Sequence, residues 1–133
     1  MSDQIKHECG IAFIRLKKPL EYYLEKYGSA TYGLDKLYLL MEKQHNRGQD
    51  GAGVANIKLD VAPGQRYISR LRSNGNQPIK EIFGKINDKF FALEQEDPRH
   101  LKDVDYLKRN VGFTGEVFLG HLRYGTFGRN SIE

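Results

Sequence analysis

The sequence predicts an α+β fold, and two periodicities predict it. Short runs rich in β-branched and aromatic residues follow Cys9 and recur at 53–59, 67–71 and 117–119, each bounded by glycine, proline or polar turns. Between them lie stretches in which apolar residues return every three or four positions, as on one face of a helix. Periodicity gives these strands and helices, and the apolar helix faces should pack on the sheet.

In chain order, Gly10 to Leu16 reads as a first strand, stopped by Lys17-Lys18-Pro19 because proline cannot donate to a ladder. Leu20 to Tyr27 can form about two turns of helix, with Gly28 as its stop. Leu34 to Lys43 is a stronger helix, its face formed by Leu34, Leu37, Tyr38 and Met41. Gln44 to Gly53 is too polar and glycine-rich for a core element and is expected to be a loop. Gly53 to Leu59 and Tyr67 to Leu71, joined through the Pro63-Gly64 turn, predict a hairpin. From Ile79 an apolar stripe (Ile82, Phe83, Ile86, Phe90, Leu93) predicts a long helix. Asp97-Pro98 marks the start of another, running to about Arg109, with Leu101, Val104 and Leu107 inward. The stripes argue that this helical stretch packs on the same core. Val117 to Leu119 is a short strand feeding a glycine-punctuated loop that carries Arg123.

Composition narrows the function. A chain of 133 residues with 39% hydrophobic and 29% charged content suits one soluble globular domain. No apolar run approaches the roughly 20 residues of a membrane span, and Met1 to Glu8 lacks a signal-peptide core, so no membrane role is expected. The one cysteine can form neither an internal disulfide nor a cysteine-cluster metal site, and a lone thiol without a secretory signal points to the cytoplasm. The net charge of +4 is dispersed among acidic residues, so no nucleic-acid partner is expected.

Chemistry-bearing residues fall in three places. Cys9 stands at the mouth of the first strand, and Gly10 beside it leaves room for a substrate to approach the sulfur; the plainer reading is a small buried hydrophobe. His45 lacks a second ligand at metal spacing and reads as a loop histidine, while Arg47 and Asp50 are spaced to brace the turn at Gly48 as an ion pair. Arg123, followed by Gly125 and Thr126, can hold a carboxylate through two parallel hydrogen bonds, with Thr126 adding another; alternatively its stem lies on Tyr124.

Together, Cys9-Gly10-Ile11, Arg47-Gly48-Gln49-Asp50-Gly51-Ala52-Gly53 and Gly120-His121-Leu122-Arg123-Tyr124-Gly125-Thr126 resemble class II glutamine amidotransferase domains, a branch of the amino-terminal-nucleophile hydrolases. The pattern is most similar to the glutaminase domains of amidophosphoribosyltransferases, and the domain type is shared with glucosamine-6-phosphate synthases. The resemblance implies a stacked α/β/β/α fold with mostly antiparallel sheets, incomplete here at the carboxyl terminus. It implies residues 1–8 as a propeptide and 9–133 as the front of the domain, with a helical insertion at about 77–112. Cys9 becomes the nucleophile, its freed α-amine (pKa roughly 7.7–8.0) the base, and Arg123 and Thr126 bind glutamine. Arg47, Gly48 and Asp50 support the loop. The oxyanion-hole Asn-Gly pair of the family lies downstream of the arginine motif, and Asn74-Gly75 precedes it, so that pair is expected outside this chain. The implied partner is a phosphoribosyltransferase domain on the same chain, where magnesium accompanies phosphoribosyl pyrophosphate; no cofactor is implied for 9–133, and the whole enzyme is expected to be a homo-oligomer. The open alternatives are another class II amidotransferase, such as a glucosamine-6-phosphate synthase, and an unprocessed, silent glutamine-binding module.

Overall fold

The structure is a computed structural model that describes residues 10–44 and 49–124. Its elements in chain order are β1 (Gly10–Arg15), α1 (Leu20–Tyr27), α2 (Tyr32–Gln44), β2 (Gln49–Ile57), β3 (Ile68–Ser73), α3 (Pro78–Glu96), a turn of 3-10 helix (Pro98–Lys102), α4 (Val104–Asn110) and β4 (Val117–Tyr124). The four strands form one antiparallel sheet in the order β1-β4-β2-β3. The fold class is therefore α+β.

Local chemistry explains most boundaries. Pro19 sits just before α1, and Gly28 ends it with φ 78, its N–H bonding to the Leu24 carbonyl at 2.8 Å. In α2 the residues Leu34, Leu37 and Met41 are buried against β1 and β4. Burial of each such side chain contributes about 1.5–3 kcal/mol. Gly120 lets this helix come close, since a Cβ there would lie 2.7 Å from Met41 Sδ and 3.2 Å from Leu37 Cδ1. In α3 the predicted stripe of Ile79, Ile82, Phe83, Ile86 and Phe90 is buried, against β2 and β3. Val104 and Leu107 of α4 enter the same core.

Three expectations are corrected. The helix predicted from Pro98 to about Arg109 is broken at Asp103. Its carboxylate caps α4 by accepting from the Tyr106 N–H at 3.1 Å, while Asp97 caps the preceding 3-10 turn through the Arg99 N–H. The second half of the predicted 44–53 loop is strand: β2 begins at Gln49, because β4 pairs with Gln49 and Gly51 and β3 joins on the other side from Ala52. Likewise β4 runs on to Tyr124, so Arg123 is a strand residue rather than a loop residue. Pairing on both sides by β1 and β2 outweighs the local signal of Gly120.

At the far end of the sheet a buried polar network fixes the turn into β4. Asn56, fully buried, donates to the Val117 carbonyl at 3.0 Å and accepts from the Gly115 N–H at 2.7 Å. Lys108 pairs with buried Glu116, whose other oxygen accepts from the Leu59 N–H at 2.9 Å.

The helices cover one face of the sheet only. Alternation puts Ala12, Phe118, Leu122, Ala52 and Val54 on the covered face, all buried. The opposite face carries Ile11, Phe13, Leu119, Ile57 and Ile68, with Phe13 61% and Ile11 68% exposed.

Candidate functional site

The pieces of the three sequence stretches that lie within the described residues meet at one end of the sheet. Leu122 of β4 pairs with Gly10 of β1 on one side and Ala52 of β2 on the other. One step further along, Arg123 pairs with Gly51, and then Tyr124 with Gln49. Neighbouring strands lie about 4.8 Å apart, so the start of β1, the end of β4 and the start of β2 fall within roughly 10 Å. The β2–β4 register shifts between Gln49 and Gly51, a bulge-like irregularity at Asp50; such interruptions re-aim side chains at sheet ends.

Arg123 is exposed on the open face and makes no ion pair with the described residues. Its guanidinium fork thus has donors available to a carboxylate ligand. His121, two residues earlier, stands on the same face, also exposed, across from Ile11 and Gly53. Sequence reasoning gave His121 no role. The signal that could have found it, its two-residue spacing from Arg123, means something only once the segment is known to be strand.

Gln44 was missed as well. At the end of α2 its side-chain amide donates to the Ile11 carbonyl at 3.1 Å, tying the helix to the first strand beside Gly10. A Cβ at Gly10 would collide with the Gln44 amide oxygen and lie 3.5 Å from Leu122 Cδ1. On the side of Gly10 that faces α2 the space is taken by Gln44, so packing there requires a glycine; the approach to the Cys9 sulfur lies outside the described residues. A glutamine side chain at a helix end carries no sequence mark of such a clamp.

Of the predicted site residues, Cys9, Arg47, Gly48 and Thr126 lie outside the described residues, and so does the Arg47–Asp50 ion pair. Of Asp50 the strand backbone alone is described. Among the described residues no group of three or more His, Cys, Asp or Glu side chains could hold a metal ion. No described helix is long and apolar enough to cross a membrane. Comparison with protein-family models, with curated proteins and with solved structures finds no match for this chain.

Proposed function

We propose that the chain is the front part of a class II glutamine amidotransferase, releasing ammonia from glutamine for transfer to phosphoribosyl pyrophosphate. The observation that carries the reading is the convergence of Gly10, Gly51 and Arg123. The three stretches that resemble the family are far apart in sequence, yet the sheet gathers their described parts at one end. Cys9 is the residue joined to Gly10, and Arg123 lies one register step beyond the Gly10–Leu122 pair.

In this reading the freed α-amine of Cys9 takes the thiol proton, and the thiolate attacks the side-chain amide carbon of glutamine. The tetrahedral intermediate collapses with protonation of the amide nitrogen, and ammonia leaves. Water then hydrolyses the γ-glutamyl thioester to glutamate and restores the thiol. Arg123 holds the glutamine α-carboxylate through its planar fork, and Thr126 adds a hydrogen bond. The oxyanion donors come from outside this chain. The open apolar face of the sheet suits a second sheet stacked about 10 Å away, which is the finer fold the resemblance implies. Phosphoribosyl pyrophosphate and its magnesium belong to the phosphoribosyltransferase domain of the same enzyme.

The test is Arg123→Lys in the complete enzyme. The charge stays but the fork is lost, so the glutamine KM rises by about tenfold or more while synthesis from free ammonia is spared. Unchanged glutamine kinetics would make Arg123 a structural residue and remove the geometric basis of the reading.

A further inference from the structure

Around the free edge of β3, at the other end of the sheet from Gly10, the chain forms a concavity of about 640 Å³. Its cations are Lys58, Arg66, Arg70, Lys85, Lys89 and Arg109, and among the described residues Asp88 is the one carboxylate lining it. The remaining wall is largely apolar, with the partly exposed Leu71 and Val111 in it. Of these cations Arg109 is paired with Asp105, and Lys58 alone is buried. Lys85 and Lys89 stand one helical turn apart on α3, where like charges repel. Arg70 has no carboxylate partner among the described residues, and neither have these two lysines.

Lys58 is the strongest sign that something is missing. It is 8% exposed, and its ammonium donates to the Lys108 carbonyl at 2.6 Å. The nearby acid, Glu116, is already engaged by Lys108, so Lys58 has no described carboxylate. Burial, then the charges of Lys108 and Arg66, push the Lys58 pKa down. A buried ammonium facing like charges is stabilised by an anion that enters the site.

We propose that this pocket binds a phosphate-bearing small molecule, its phosphate held by Lys58, Lys85 and Lys89 and its apolar body laid against Leu71 and Val111. Phosphate accepts several charge-assisted hydrogen bonds at once, which suits a set of three lysines. The volume falls in the roughly 300–1,000 Å³ range of small-ligand pockets. A nucleic acid would instead call for a continuous basic stripe. The site includes neither Cys9 nor Arg123, so it stands independently of the glutaminase reading.

The experiment is titration calorimetry of the complete protein with phenyl phosphate, inorganic phosphate and phenol, repeated on the K85Q/K89Q double variant. Phenyl phosphate should bind saturably at one site, more tightly than inorganic phosphate, with phenol inert. Its affinity should fall with added salt and by about tenfold or more in the double variant, with thermal unfolding unchanged. Should K85Q/K89Q misfold, K89Q alone replaces it, since Lys89 is exposed on α3. Absence of saturable phenyl phosphate binding overturns the proposal, as does unchanged affinity in a folded variant. Inorganic phosphate binding equally well overturns it too, since the apolar body then adds nothing. Tight binding of an RNA 20-mer without any phenyl phosphate site assigns the cations to nucleic acid and overturns it too.

Discussion

The two faces of the sheet are built from the same strands and have opposite fates. On the covered face, Ala12, Val54, Phe118 and Leu122 are sealed under α2 and α3. On the open face, Ile11, Phe13 and Leu119 are just as apolar but stand in the open beside His121 and Arg123. Ordinary half-solvated antiparallel strands alternate apolar and polar residues; these strands are apolar on both sides. A contiguous exposed apolar surface rimmed by charged groups marks a place where something docks. The comparison teaches that one face holds the fold together, while the other is where the resemblance predicts a partner layer and substrate.

The largest expected effect separates the faces directly. Leu122→Ala on the covered face should cost about 2–5 kcal/mol, as for other buried leucines. Phe13→Ala on the open face should cost this 133-residue chain about 0.5 kcal/mol or less. Urea unfolding of both variants checks this; equal losses would mean that the open face is not open. A second sheet in the complete protein would remove the contrast, since Phe13→Ala would there cost as much as a core substitution.

The next effect concerns the end where the faces meet the candidate site. Gly10→Ala drives a Cβ into the Gln44 amide, an overpacking that costs about 1–3 kcal/mol. Adding Gln44→Ala should recover part of that loss, because the obstructing group is gone. A double-mutant cycle with no coupling would contradict the clamp between α2 and β1.

The smallest effect lies on the rim of the covered side. The Arg99 side chain and N–H hold the Asp97 carboxyl down at about 2 against an ordinary 3.8. Because the folded pKa is depressed, this contribution is complete above the ordinary value and disappears as pH falls from about 4 to about 2. Asp97→Ala should therefore lower the unfolding midpoint slightly at pH 6 and not at pH 2. A constant difference across that range would assign the effect to the helix start alone.

How much of this was legible follows from where each signal resides. Helix α1 was legible to the residue because Pro19 and Gly28 act locally, and α3 because its stripe is long. The starts and ends of β2 and β4 were not, since Gln49, Gly51 and Gly120 are strand residues only by virtue of neighbours far away in sequence. Asp103 was read as a residue within a helix because capping by an aspartate looks the same as an exposed helical one. The site was legible as three stretches, but their meeting at one sheet end is a property of the β1-β4-β2 order, which no local pattern encodes. Gln44 and the Lys58 pocket escaped for the same reason: each depends on what packs beside it.

The central claim is that Cys9 attacks a glutamine whose α-carboxylate Arg123 holds. The most direct measurement is labelling of the complete, amino-terminally processed enzyme with a diazoketone analogue of glutamine, followed by peptide mass analysis. The account predicts one adduct on Cys9, blocked by excess glutamine and slowed at least about tenfold at limiting reagent in Arg123→Lys. An active enzyme that carries no adduct on Cys9, or one that labels at the same rate without the arginine fork, would contradict it.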